Sequence, residues 1–216
     1  MWWLIPVGVL VLLIAVLLIR TLMFTPRDNV TVQEGEEPFD KEDATFALAE
    51  LVRCKTVSYK DPALEDEIEF QKLISLLPTL YPKVFEVCTF EQLEDRALLF
   101  CWKGKEEGEP AVLMAHYDVV PVDEEGWDKP AFDAVIENGV MWGRGTLDTK
   151  VTMNGILFAA NHLISEGFVP EKDVYFAFSG GEEINGKGAE RIVRQRDGSL
   201  VSFSRTLYRT GVDSIS

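Results

Sequence analysis

The stretch Pro110–Pro121, "PAVLMAHYDVVP", runs from five apolar residues into a histidine and an aspartate two positions apart. A short apolar run of this kind reads as a β-strand, apolar enough to lie in the middle of a sheet. His116 then closes the strand and Asp118 falls in the loop beyond it. In open α/β sheets the functional groups gather outside the carboxyl ends of strands. The chain has only two histidines, so placing one of them there asks for a chemical reason. Taken alone, a histidine ending an apolar strand suits a structural role as well as a ligand. Asp118 favours the ligand, because a carboxylate two residues on can turn back to the ring nitrogen that faces away from a metal, fixing the tautomer.

Outward from this strand, the pattern predicts alternating elements. Lys41–Arg53, preceded by Asp40 as a cap, and Glu65–Leu77 carry apolar residues at helical spacing. "KVFEVCTF" (Lys83–Phe90) and "RALLFCWKG" (Arg96–Gly104) read as strands, as does "DVYFAFS" (Asp173–Ser179). After a loop to Asn138, the short "GVMWGRG" leads to Asp148. Helices are expected over Thr149–Glu166 and Lys187–Gln195. The order implies an α/β domain with a mixed sheet flanked by helices.

Two further loops offer chemistry. Asp148 stands at a strand-to-helix junction, where it could equally be an N-cap. Glu182 and Glu183 follow a strand, where they could equally be an acidic helix start. Imidazole and carboxylates are the ligands of zinc or a similar divalent ion, and of two adjacent carboxylates one can bind metal while the other acts as a general base. Gly180, Gly181, Gly186 and Gly188 permit tight backbone around the pair, but no Walker pattern is present.

With "MAHYDVVPV", "GWDKPAFDAVIENGVMWGRGTLDTK" and "SGGEEINGKGAERI" in that order, residues from about Phe39 to Val193 resemble the co-catalytic zinc exopeptidases. That family includes aminoacylase, acetylornithine deacetylase, succinyl-diaminopimelate desuccinylase and carboxypeptidase S. The apolar N-terminus with "HYDVVPVDEEGW" leans towards the carboxypeptidase S-like branch. The resemblance implies that His116 binds one metal, Asp148 bridges two and Glu183 binds the second. It also implies that Glu182 is the general base and that Asp118 orients His116; the peptide after the bridging aspartate, commonly cis in the family, is here Asp148–Thr149, whose conformation the sequence does not give. The cofactor would be Zn2+, two per complete site, or another divalent ion such as Co2+ or Mn2+. The reaction would be cleavage of an amide or peptide bond in a peptide or N-acyl amino acid by a di-zinc-activated water.

The family's site is completed by an aspartate some two dozen residues past the glutamate pair and by a late histidine. Neither is evident in the divergent stretch 194–216: Asp213 lacks the context, and His162 lies within a helix pattern. The expectation is therefore a partial catalytic domain over 39–193, weakly active or inactive. The family's inserted lid domain, which binds substrate and supports dimers, would be missing, leaving the oligomeric state open. The alternative is a non-catalytic, membrane-anchored binding or structural fragment. A nucleotide-binding α/β protein is disfavoured by the missing glycine fingerprint.

Trp2–Ile19 is an 18-residue stretch without a charge, about 27 Å long as a helix. It reads as a membrane anchor over 1–24, since neither a basic region before it nor a small-residue cleavage site after it marks a signal peptide. Arg20 and Arg27 vote weakly for a cytoplasmic domain, so the side of the membrane stays open. The acidic, proline-containing stretch 25–38 reads as a linker. Of 21 Lys+Arg and 36 Asp+Glu, only Arg20 precedes residue 25, and such an acidic domain is a poor partner for nucleic acid or anionic lipid. Cys54, Cys88 and Cys101 show no metal spacing. They are expected as buried free thiols, although a Cys88–Cys101 bridge between neighbouring strands is conceivable.

Overall fold

The computed structural model describes residues 4–24 and 39–194. The chain divides into two units, Met1–Pro38 and Phe39–Ser216. In the first, α1 (Leu4–Leu22) has a mean hydropathy of 2.7 and no buried residue, and it is long and apolar enough to cross a membrane. A signal sequence meets the same criteria of length and composition. The expected linker 25–38 lies outside the described residues, as does the expected divergent tail beyond Arg194.

In the second unit, α2 (Lys41–Val52) starts where Asp40 accepts from the amides of Glu42 and Asp43, satisfying donors that a helix start leaves orphaned. Helix α3 (Glu67–Leu80) starts in the same way from Asp66. A four-stranded sheet follows, in the order β1 (Thr89–Leu93), β2 (Ala97–Trp102), β6 (Val174–Ser179), β3 (Ala111–His116). The β1–β2 and β2–β6 pairs are antiparallel, while β3 and β6 run parallel. Helix α5 (Lys150–Ser165) connects towards β6, and α6 (Lys187–Arg194) follows it. The sheet is thus mixed and flanked by helices, as the element order implied.

Strand β2 is covered on both faces, and every residue of it is buried. Leu98, Phe100 and Trp102 point into the larger core with residues of α2, α3 and α5, whereas Ala97, Leu99 and Cys101 meet Ile192 of α6. This is the two-residue period of a strand read from both sides. All three cysteines are free and buried. Cys88 belongs to the larger core and Cys101 to the opposite face, which is why the conceivable bridge does not form.

Three expectations need correction. Lys83–Phe90 is not a strand: Pro82–Val87 forms helix α4, and β1 begins only at Thr89. Pro82 at the first helical position pre-sets the backbone, and the buried Tyr81, Val84 and Cys88 follow a helical spacing that the Val- and Phe-rich composition obscured. Strand β3 is not central; among the described residues it is an outer strand, with Leu113 and Met114 exposed. Apolar content alone does not distinguish it from β6, which holds the inner place. Finally, the loop before Asn138 contains β4 (Val135–Glu137), paired with β5 (Val140–Trp142). The hairpin turns on Asn138 and Gly139, both at positive φ, the pattern of a two-residue primed turn.

Candidate metal centre

Because β3 and β6 are parallel and in register from Ala111↔Val174 to His116↔Ser179, the loops after both strands leave the sheet at one end. The first carries Asp118 and the second Glu182 and Glu183. Asp148 comes to the same place from the junction before α5. The ligand atoms of His116, Asp148 and Glu183 lie within 4.8 Å of one another. His116 Nε2 is 3.1 Å from Asp148 Oδ1 and 3.6 Å from Glu182 Oε2. Donors around a tetrahedral zinc lie about 3.3–3.6 Å apart, given metal–ligand distances of about 2.0–2.2 Å. The His116–Asp148 separation is close to that spacing, and with Glu183 within 4.8 Å the three side chains could hold a divalent ion.

The competing roles for these residues are not what the backbone uses. Asp148 is not an N-cap: Thr149 occupies that position with no side-chain cap bond, and the Asp148–Thr149 peptide is cis. Glu182 and Glu183 do not start a helix, since they sit in a turn and α6 begins at Lys187. His162 lies in the last turn of α5 and takes no part in the cluster. Asp213 lies outside the described residues.

Asp118 is fully buried and does more than face the imidazole. His116 Nδ1 is 3.2 Å from the Asp118 carbonyl oxygen and 3.5 Å from its Oδ1. The carboxylate accepts from Ser58 Oγ at 2.8 Å, from the Glu182 amide at 3.1 Å and from the Glu183 amide at 3.2 Å. Burial alone would push the His116 ring down, but the hydrogen bond and charge of Asp118, with the Glu182 carboxylate, hold it up at about 9. Burial also pushes the Glu183 carboxyl up; His116 opposes this, and the charges of Asp148, Asp118 and Glu182 add to it. A cation among these carboxylates would relieve their mutual repulsion.

Two supporting residues were missed in the sequence. Lys150 is fully buried, and its ammonium donates to the carbonyls of Leu51 at 2.9 Å and Cys54 at 2.6 Å, tying the end of α2 to the turn that follows Asp148. Burial lowers its pKa to about 7. Its only signal was its place in "GRGTLDTK". Ser58 carries no motif. Gly180 is needed for close approach: a Cβ there would sit 2.6 Å from Tyr117 Cζ and 2.9 Å from Arg96 Cβ. Gly180→Ala is expected to cost about 1–3 kcal/mol through overpacking, read as a lower urea midpoint.

Residues 112–211 match the family described as Peptidase family M20/M25/M40. The "Probable carboxypeptidase S-like 2" of Dictyostelium discoideum is 33% identical over 190 residues, 83% of this chain and 36% of the relative. The chain thus carries part of an M20 family domain. An "N-fatty-acyl-amino acid synthase/hydrolase PM20D1" of Homo sapiens is 33% identical over 161 residues, 71% of this chain and 32% of its own length. The chain thus spans about a third of the length of these M20 relatives. In fold it is similar to human carnosine dipeptidase 1 (TM-score 0.62, 16% identity, 74% of this chain and 36% of that one). It is also similar to the M20 metallo-carboxypeptidase Sso-CP2 of Sulfolobus solfataricus (TM-score 0.57, 23% identity, with the same coverage).

Proposed function

We propose that this chain carries the metal-binding part of a hydrolase that cleaves an amide or peptide bond, with peptides or N-acyl amino acids as substrates. The observation that carries the reading is the convergence of His116, Asp148 and Glu183 within 4.8 Å beside a further carboxylate, Glu182. Relatives named as carboxypeptidase S-like proteins and as N-fatty-acyl-amino acid synthase/hydrolases support the substrate class. His116, Asp148 and Glu183 would hold the metal, with Asp148 shared where two zinc ions are present; Co2+ or Mn2+ suits the same donors. When bound, the metal supplies Lewis acidity that polarises the amide carbonyl and makes water nucleophilic at neutral pH.

The protein's own groups do the rest. Glu182, with its side chain 55% exposed, stands open to solvent on a turn and accepts a proton from the attacking water, then returns it to the leaving amine. Asp118 holds the His116 ring and the backbone of both glutamates. Helix α1 is proposed as a single-pass anchor, on its length and mean hydropathy of 2.7.

Zinc or cobalt titration of the purified chain tests the reading. His116→Ala is expected to weaken binding about a hundredfold, since roughly a quarter of the 10–16 kcal/mol of a four-ligand zinc site is about 3 kcal/mol. Equal affinities in wild type and variant would sink it. Tight metal uptake without hydrolysis of any dipeptide or N-acyl amino acid would instead favour a non-catalytic, membrane-anchored metal-binding fragment.

A further inference from the structure

Three chain segments meet at the buried Asp118 carboxylate, and one of them has no part in the metal cluster. Residues 56–58 run alongside 117–119 as a short parallel pairing. The Val119 amide donates to the Thr56 carbonyl and the Ser58 amide to the Val119 carbonyl, both at 2.9 Å, and Val57 bridges Val119. Thr56 Oγ1 adds a 2.5 Å bond to the Tyr117 carbonyl. Thr56 and Ser58 are 0% and 1% exposed. The Ser58 hydroxyl is therefore presented by fixed backbone rather than by a loop free to reorient.

An ionised carboxylate at 0% exposure needs its acceptor sites filled. At Asp118 the shortest bond is the one from Ser58, 2.8 Å against 3.1 and 3.2 Å from the two glutamate amides. Ser58 and the Glu183 amide share one oxygen, Oδ2, while Oδ1 takes the Glu182 amide and faces His116 Nδ1. Without the hydroxyl, the carboxylate is free to rotate towards its remaining donors, and the turn that hangs on it moves too.

We infer that Ser58 is a positioning residue for the Glu182–Glu183 turn: through Asp118, its hydroxyl sets where the Glu183 carboxylate stands relative to His116 and Asp148. The effect on ion binding rests on the metal-site reading; the effect on the turn does not.

Hydrogen–deuterium exchange of the peptide spanning the turn and Co2+ titration, both on the full 216-residue chain, separate the two. In Ser58→Ala, exchange at the Glu182 and Glu183 amides is expected to accelerate, and Co2+ affinity to fall about 10- to 100-fold, as for other groups that support metal ligands. Ser58→Thr, which keeps the hydroxyl, is expected to recover both. Thr56→Val, which loses the neighbouring bond to Tyr117, is expected to lower the melting temperature without accelerating exchange at the turn. Unchanged exchange in Ser58→Ala overturns the inference whatever the ion does, and so does equal acceleration in Thr56→Val. If exchange rises in Ser58→Ala but the wild type takes up no Co2+, the metal-site reading falls and the positioning role stands. Should Ser58→Ala not fold, Ser58→Cys, a weaker donor of similar size, is read by the same exchange criterion.

Discussion

Glu182→Gln is expected to lower amide hydrolysis by about a hundred- to ten-thousand-fold, the usual contribution of a positioned general base, while metal uptake stays at the wild-type level. The two readouts divide because the proposed roles divide. Glu183, with His116 and Asp148, belongs to the cluster whose ligand atoms lie within 4.8 Å of one another. Glu182 stands 3.6 Å from His116 Nε2 with its side chain 55% exposed, near enough to reach a water beside the site. Glutamine keeps the size and the backbone bond from residue 182 to Asp118 but gives up the basic oxygen. The measurement is initial rates on an N-acyl amino acid and a dipeptide, with zinc content determined on the same preparations. A variant retaining wild-type turnover would remove Glu182 from the chemistry; one that loses its zinc would make it a ligand.

Phe100→Ala is expected to lower the stability of the unit beginning at Phe39 by about 3–5 kcal/mol, the range for removing a buried phenylalanine. Phe100 is fully buried in the middle of β2. Its ring lies 4.6 Å from Phe90, 5.3 Å from Phe85, 6.1 Å from Phe178 and 6.4 Å from Phe176, measured between centroids. These neighbours come from β1, α4 and β6, so no single element can close over the space left behind. Urea unfolding followed by tryptophan fluorescence checks the value. A loss under about 1 kcal/mol, the scale of a volume-conserving swap, would mean that the cluster repacks.

What could be read in the sequence depended on how local its physical cause was. The start of α2 rests on Asp40 next to periodic apolar residues and was legible, whereas α3 was read only from its apolar spacing, over Glu65–Leu77, and its Asp66 cap at Glu67 was not. The ends of β3 and β6 and the junction before α5 were legible as strand ends bearing ligand-type residues, and the structure brings His116, Asp148 and Glu183 together there. Helix α4 was not legible, because six residues rich in Val and Phe carry too little periodicity to outweigh composition, and only Pro82 marked the start. The outer place of β3 depends on which strand pairs with which, a long-range fact. Ser58 and Lys150 were missed for the same reason: their partners lie 60 residues on and 96 to 99 residues back.

The parallel alignment of β3 with β6 has a consequence for how the strand finds its place. A slip of one residue would turn every β3 side chain to the opposite face and carry His116 away from Asp148. Burial does little to forbid this, because Leu113 and Met114 are largely exposed. The residues that resist it are those just past the strand. Tyr117 is fully buried and donates its hydroxyl to the Arg96 carbonyl and its amide to the Ser179 carbonyl, and Asp118 is held by Ser58 and the glutamate turn. The segment that serves the candidate site is thus also the latch that keeps its strand from sliding.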